Sequence, residues 1–134
     1  MKIIAFKEDI IYLNDEEMEE LNKLLEKCAK LVNNPELVTS PKIVNQAIVK
    51  LSAWNVFIGV LAGRAESDYR TQFSERYKHY KTSGGKKTVD DCKNFAEVDI
   101  KDVRRAREVL NNLRDDIKEL HQTLRAIIKN KDVV

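Results

Sequence analysis

The sequence predicts a mainly α fold: a long antiparallel helical hairpin of coiled-coil character with a shorter N-terminal helix. Two long segments with apolar residues at three- and four-residue spacing flank one glycine break, Gly84-Gly85. The 134 residues include only two prolines and four glycines, so few positions interrupt a helix. Charged residues make up 34% and aromatic residues 7%, a balance that suits helices around an aliphatic core better than a β-sandwich. At this length we expect one domain, residues 1–134.

Residues 1–13 are predicted to form a small β-hairpin. Two apolar, β-branched runs, Lys2 to Phe6 and Ile10 to Leu13, are separated by charged residues. An isolated two-stranded hairpin is marginally stable in water, so this one would need to pack on the helices or on a partner subunit.

The first helix is predicted over residues 14–33. Asn14 is a typical N-cap residue, and Glu17 stands three positions later, where a capping box requires an acidic or amide side chain. Leucines continue at helical spacing until Asn33-Asn34-Pro35, where a proline follows two poor helix formers and ends the helix.

The first arm of the hairpin is predicted over residues 41–83. Ser40 offers a side-chain cap, and Pro41 suits the first helical position. The apolar spacing then lasts until Gly84, which implies a helix of about 60 Å. Its middle, Ala53 to Gly63, is apolar on nearly every side and must be surrounded by other helices.

The first helix and the second arm would cover two sides of this middle, and a second copy of the chain the remaining side. We therefore predict a homo-oligomer, a dimer in the simplest case. Its interface, which equally suits a different protein partner, is assigned to five residues: Trp54, Phe57, Ile58, Gly59 and Gly63.

The second arm is predicted over residues 88–131. Thr88 with Asp91 matches a capping box, and Asp99 with Asp102 repeats that pattern, which indicates a kink near residues 98–100. Beyond the kink, apolar residues alternate in steps of three and four, as in the a/d stripe of a coiled coil. The stripe consists of Val103, Ala106, Leu110, Leu113, Ile117, Leu120, Leu124 and Ile127.

No catalytic, metal or cofactor site is predicted. The two histidines, His79 and His121, each lack a second ligand three or four residues later, and Cys28 and Cys92 stand alone. The Gly84–Thr88 run resembles part of a phosphate loop but lacks the earlier glycine and the preceding strand. We expect a protein that is not an enzyme and carries no cofactor.

The turn between the arms is basic, although the formal net charge of the chain is only +2. Residues 64–87 carry seven Lys/Arg against three Asp/Glu, whereas residues 1–39 carry five against nine. Basic side chains among tyrosines suit a nucleic-acid backbone and stacked bases, and the helix start at Thr88 would assist with phosphate. The alternative is that the tyrosines are core and the cations merely solvated. The candidate nucleic-acid-binding residues are Arg70, Arg76, Lys78, Lys81, Lys86 and Lys87.

The run from Tyr80 to Glu97, followed by Arg105-Ala106 and the leucine stripe, resembles small helical proteins encoded by tailed phages near replication and recombination genes. The resemblance covers about half of the chain and implies a phage or mobile-element accessory protein of DNA metabolism. It assigns no binding residues. The alternative function is a protein-binding adaptor or inhibitor of a host or defence protein, and a small enzyme is the least favoured class.

The chain is expected to be soluble and cytoplasmic, in a host cell if phage-encoded. No signal-peptide pattern follows Met1, and the most hydrophobic stretch, Ala53 to Ala62, is about half the length that crosses a bilayer. We expect no membrane partner.

Overall fold

The fold is mainly α, as predicted. The structure, a computed structural model, describes the backbone of residues 5–6, 10–34, 40–85 and 87–132, and the side chains of residues 12–34, 40–85 and 87–130. The described helices are α1 (Asp15–Asn33), α2 (Pro41–Thr82), α3 (Val89–Asp99) and α4 (Lys101–Asp132). Two short strands, β1 (Ala5–Phe6) and β2 (Ile10–Ile11), precede them.

The strands pair antiparallel through two residue pairs only, Ala5 with Ile11 and Phe6 with Ile10. The predicted hairpin over residues 1–13 also includes residues 1–4 and 7–9, which lie outside the described residues.

Tyr12, directly after β2, attaches the N-terminal segment to the middle of α2. Its side chain is buried in the core, and its phenol donates a hydrogen bond to Asp68 in α2. Burial, assisted by that hydrogen bond, raises the pKa of the Tyr12 phenol. The phenol therefore stays protonated and keeps donating to the carboxylate.

Two of the predicted helix starts are confirmed by their capping boxes. Asn14 Oδ1 accepts from the Glu17 amide at 2.7 Å, and Glu17 Oε1 accepts from the Asn14 amide at 3.2 Å. Thr88 and Asp91 repeat this exchange at 3.0 and 3.2 Å. Each box satisfies two backbone N–H groups that a helix end leaves unpaired.

The predicted side-chain cap at Ser40 is wrong, because Ser40 makes no capping hydrogen bond although α2 does begin at Pro41. The predicted cap at Asp99 is also wrong. Asp99 is the last residue of α3, Ile100 follows it, and α4 begins at Lys101. The Asp99 carboxylate is directed to α2 instead, as described below.

Helix α2 packs mainly against α4 and α3, and α1 packs across both α2 and α4. Ser52 Oγ lies 2.9 Å from His121 Nε2, and Arg107 donates to Glu66 at 3.4 Å. Residue numbers therefore rise along α2 as they fall along α4.

The core lies along the contact between α2 and α4 and extends under α1. The apolar stripe of α4 is buried at six positions and half-buried at the other two, Leu120 and Ile127. The buried positions are Val103, Ala106, Leu110, Leu113, Ile117 and Leu124. The fully buried partners of this stripe include Leu21 of α1 and Leu51 and Ile58 of α2.

Part of α2 remains uncovered in the single chain. Among the described helices, α2 alone is long and apolar enough to cross a membrane by length and composition, and only 22% of its most apolar stretch is buried. This stretch is longer than the Ala53–Ala62 run considered from the sequence. The exposed large apolar residues of α2 are Ile43, Val49, Val56, Phe57 and Val60.

Replacement of Ile58 by alanine is expected to lower the free energy of unfolding by about 2–5 kcal/mol, because it leaves a cavity where Ile58 is fully buried. The matched control is Val98→Ala, since Val98 is 66% exposed and its truncation should change stability by no more than about 0.5 kcal/mol. Urea unfolding followed by circular dichroism measures both. Equal losses in the two variants would contradict this position for Ile58.

Candidate nucleic-acid interface at the basic end

The basic end comprises the last turns of α2, the described residues 83–85 and 87–88 that follow, and the start of α3. Two backbone carbonyl groups near the end of α2 accept additional hydrogen bonds. Thr82 Oγ1 donates to the Lys78 carbonyl at 2.8 Å, and the Ser83 amide donates to the His79 carbonyl at 3.0 Å. Gly85 has a φ of 109°, in the region that favours glycine, and it lets the chain reverse toward α3.

The carboxylate of Asp99 accepts hydrogen bonds from two side chains near the end of α2. Its Oδ2 atom accepts from Arg76 Nε at 2.8 Å and from the Tyr80 phenol at 2.6 Å, and Arg76 Nη2 lies 2.6 Å from the same atom. The hydrogen bond from Tyr80, together with that from Arg76, holds the pKa of the Asp99 carboxyl below its ordinary value. These contacts join the end of α2 to the junction of α3 and α4.

A second set of polar contacts continues this junction toward the middle of α2. The Tyr69 phenol donates to Glu97 Oε1 at 2.6 Å, and the Arg107 guanidinium lies 3.9 Å from the centroid of the Tyr69 ring. Burial, then the hydrogen bond to Glu97, raises the pKa of Tyr69. Glu66 accepts from both Arg107 and Arg70. Tyrosines and arginines therefore fasten α2 to α3 and α4 along this length.

The two arginines among the predicted binding residues are engaged by carboxylates. Arg76 is held by Asp99, and Arg70 pairs with Glu66 at 3.0 Å on an exposed helix surface. Their charge is therefore partly neutralised within the chain.

The predicted lysines of α2 differ from these arginines in their electrostatic environment. Lys78 and Lys81 are exposed, and neither has a carboxylate within ion-pair distance in the part of the chain that the structure describes. Lys86, the next lysine of the predicted set, lies outside the described residues.

Lys87 belongs with the exposed group, although it has neutral neighbours. Its Nζ atom donates to Ser83 Oγ at 3.1 Å and lies 5.1 Å from the centroid of the Tyr80 ring. A cation–π contact of this kind at an exposed site contributes about 0.5–1 kcal/mol and leaves the charge in place. The ammonium group remains available to an anion.

The tyrosines are largely committed to the fold. The Tyr80 ring packs on Phe95 with 5.3 Å between ring centroids, and Tyr69, Phe73 and Tyr77 stack in succession along α2 at 6.2 Å. His79 is an exposed ring of the basic end, with its centroid 5.2 Å from that of Tyr80, and the Phe95 ring is also 46% exposed. Stacking of bases on the tyrosines, as the sequence predicted, has little free ring surface to use.

The predicted phosphate site at the start of α3 is not supported by the local geometry. Thr88 and Asp91 already use the first free amide groups in their capping box, and Asp90 and Asp91 place negative charge in the first turn. A phosphate there would compete with an internal cap and approach two carboxylates. The helix start is therefore a poor anion site.

The predicted interface residues on α2 lie in different environments. Ile58 is fully buried inside the chain, so it has no surface to offer to a second copy. Trp54 packs against the core, and its ring meets Phe57 edge-on at 5.6 Å. A Cβ on Gly59 would lie 3.9 Å from Arg114, whereas Gly63 faces open space. Phe57, at 38% exposure, and Gly63 are the exposed members of the predicted set, whereas Trp54 and Gly59 are half-buried.

Two features were missed from the sequence. Asp99 was assigned to a helix boundary and Glu97 was given no role, and no local signal links either carboxylate to a tyrosine 19 or 28 residues earlier. The exposed valines Val49, Val56 and Val60 did carry a signal, because they recur at four- and seven-residue spacing on one helix face.

Three further features of the described residues bear on chemistry: the possible metal ligands, the two cysteines and a groove between helices. Within the described residues no group of three or more His, Cys, Asp and Glu side chains could hold a metal ion. Cys28 and Cys92 are free and buried, and burial raises the pKa of the Cys28 thiol. An open groove between α1 and α2 is lined by Glu20, Lys23, Leu24, Lys27, Lys50, Ala53 and Trp54.

Comparisons of the chain with protein families, with curated proteins and with solved structures find no match.

Asp99→Asn is expected to lower the free energy of unfolding at pH 7, because the Arg76 cation loses its charged partner. The matched control is Asp116→Asn, on the exposed side of α4, which should change stability by no more than about 0.5 kcal/mol. The pKa of Asp99 is lower in the folded chain than in the unfolded chain. The charged Asp99 therefore stabilises the fold fully at a pH above its pKa in the unfolded chain. This stabilisation is lost as the pH falls through its pKa in the folded chain.

The difference in the free energy of unfolding between wild type and Asp99→Asn should thus persist at neutral pH and shrink below about pH 4. Urea unfolding at a series of pH values measures it. A difference that does not change with pH would mean that the Asp99 charge is not the stabilising element.

Proposed function

We propose that the protein is a non-enzymatic helical accessory protein that contacts nucleic-acid backbones through Lys78, Lys81 and Lys87. One observation carries the proposal: these three ammonium groups are exposed at one end of the molecule, while the nearby arginines are engaged by carboxylates. The resemblance of this segment to phage proteins encoded near replication and recombination genes favours DNA as the polymer. Arg76 then acts as a positioning residue that fixes the end of α2, and Arg70 adds charge beside it.

Lysines of this kind recognise phosphate as point charges and read no base sequence. Each phosphate that is neutralised releases counterions, so a small number of contacts gives weak binding with a strong dependence on salt. The exposed imidazole of His79 supplies one ring on which an unpaired base could stack. We infer a preference for backbone contact in single strands or flexible ends over readout of a duplex sequence.

We infer further that α2 and the α3–α4 arm form an antiparallel hairpin with coiled-coil packing. The step from residue 52 to residue 66 along α2 matches the step from residue 121 to residue 107 along α4, two heptads in each case. Such a hairpin is a stiff rod that holds the basic end away from the N-terminal helix. Its role in the proposed function is to present that end.

Replacement of Lys78, Lys81 and Lys87 together by glutamine is expected to weaken binding to a fluorescent single-stranded oligonucleotide by about tenfold or more at low salt. The slope of log affinity against log salt should fall by about one for each lysine that contacts phosphate. Fluorescence anisotropy over a salt series measures both quantities.

The matched control replaces Lys27, Lys118 and Lys129, which are exposed away from the basic end, with the same loss of charge. Its affinity should stay close to that of wild type. Equal weakening in both triple variants would show general charge attraction and no site. If wild type is retained by neither DNA nor RNA at low salt, the proposed function is wrong.

The second candidate function is a protein-binding adaptor or inhibitor, and the outer side of α1 favours it. Carboxylates at Asp15, Glu16, Glu19, Glu20 and Glu26 are exposed there on one short helix. A basic partner protein would bind this side by charge complementarity. Capture from host lysate that survives nuclease treatment and the lysine substitutions, but is lost in Glu19→Gln/Glu20→Gln, would favour this function.

A further inference from the structure

The uncovered side of α2 carries a second heptad pattern, opposite to the one that packs on α4. Seven residues at alternating steps of three and four are all exposed and uncharged, and we name them the outer face. They are Gln46, Val49, Ala53, Val56, Val60, Gly63 and Ser67. Val49, Val56 and Val60 expose 67%, 68% and 58% of their surface, which are high fractions for apolar side chains in the middle of a long helix.

We propose that the outer face is the surface through which two copies of this chain associate, with their α2 helices antiparallel. The spacing along this face is that of a coiled-coil seam, which only another helix of the same spacing would cover throughout. From Gln46 to Ser67 the seam extends for about 33 Å. It shares only Gly63 with the interface expected from the sequence, because Ile58 is buried in the core and Trp54 packs against that core.

The face is complementary to itself when the twofold axis passes between Ala53 and Val56. Val56 then lies opposite the partner's Ala53, Val60 opposite the partner's Val49, and Gln46 opposite the partner's Gly63. Six of the seven residues thus meet another residue of the face, and no pair places two glycines together. A parallel pair would instead place Gly63 against Gly63 and leave a hole in the seam.

Charge also favours the antiparallel arrangement. Lys78 and Lys81 follow the outer face toward the end of α2 and are exposed. In a parallel pair these lysines would lie beside their own counterparts, and like charges repel. In the antiparallel pair the two basic ends lie at opposite ends of the dimer.

A membrane surface is a poorer occupant of the same face. Helices that lie in a membrane interface use large aromatic and leucine side chains, whereas the outer face consists of valine, alanine, glycine, one glutamine and one serine. Trp54, the side chain best suited to the interface, packs against the core. Small side chains instead allow two helices to approach closely.

The area of the seam determines how tightly two copies are expected to associate. One helix-to-helix contact lies at the lower end of stable interfaces, about 1,200 Å² in total, so we expect a dissociation constant in the micromolar range, about 1–100 μM. Sedimentation equilibrium over this range should give a mass that rises from monomer to dimer. The outer face contains none of the lysines proposed to contact nucleic acid, so dimer formation is tested independently of that contact, and only the choice of orientation uses Lys78 and Lys81.

Val56→Glu should raise the dissociation constant by about thirtyfold or more, the effect of losing a central interface residue. Val98→Glu is the matched control, since Val98 is similarly exposed but lies on α3, and it should leave the constant unchanged. Circular dichroism checks that both variants are folded. A wild-type monomer throughout the range, or equal effects in the two variants, would overturn the proposal.

Energy transfer between copies labelled at a single introduced cysteine tests the orientation, since Cys28 and Cys92 are buried. With labels at Lys50→Cys the antiparallel pair brings the dyes within about 15 Å along the helices, and with labels at Lys78→Cys it separates them by about 70 Å. High transfer at position 50 and low transfer at position 78 is expected. High transfer at both positions, or a monomer that floats with anionic phospholipid vesicles, would overturn the antiparallel dimer.

Discussion

The structure depends on one constraint: α2 is longer and more apolar than its neighbouring helices can cover. Its 42 residues carry a middle that is apolar on nearly every side, and only 22% of its most apolar stretch is buried. The stripe of α4 covers one side and α1 covers part of another, and the core forms along those two contacts. Which sides of that middle the other elements cover determines the placement of α1, the burial of Tyr12 after β2 and the exposure of three valines.

The helices could be predicted from local patterns because their signals are local. A capping box lies within four residues, as at Asn14 and Thr88, and the α4 stripe is a spacing rule along a single helix. The same reasoning fails where a residue has two possible partners. Asp99 fits a capping pattern with Asp102, yet its carboxylate bonds Arg76 and Tyr80 across the turn. In the folded chain Arg76 and the Tyr80 phenol occupy the carboxylate that the capping pattern would have used.

The candidate site shows the same limit. The sequence identifies the basic residues near the turn, but it cannot show which of them a carboxylate already neutralises. The partners of Arg76 and Tyr69 come from α3, and only the reversal of the chain at Gly85 brings them near. After these pairings the exposed charge is smaller than the count of Lys and Arg suggests, and it lies on lysines. For the same reason, the interface residues chosen from the apolar run included Ile58, since an all-round apolar stretch does not reveal which side α4 takes.

The outer face of α2 continues directly into the basic end, and this continuity connects the two proposals. Going along one side of the helix, uncharged residues up to Ser67 give way to Arg70, Lys78 and Lys81. Antiparallel pairing through the uncharged part would set two basic ends about 70 Å apart on one rigid dimer. Each end alone makes few phosphate contacts and binds weakly. Two ends on one rod bind a flexible strand more tightly than either does alone, provided that the strand spans the distance between them. A dimer of this shape would therefore hold two separate segments of nucleic acid, which a monomer with one basic end would not do.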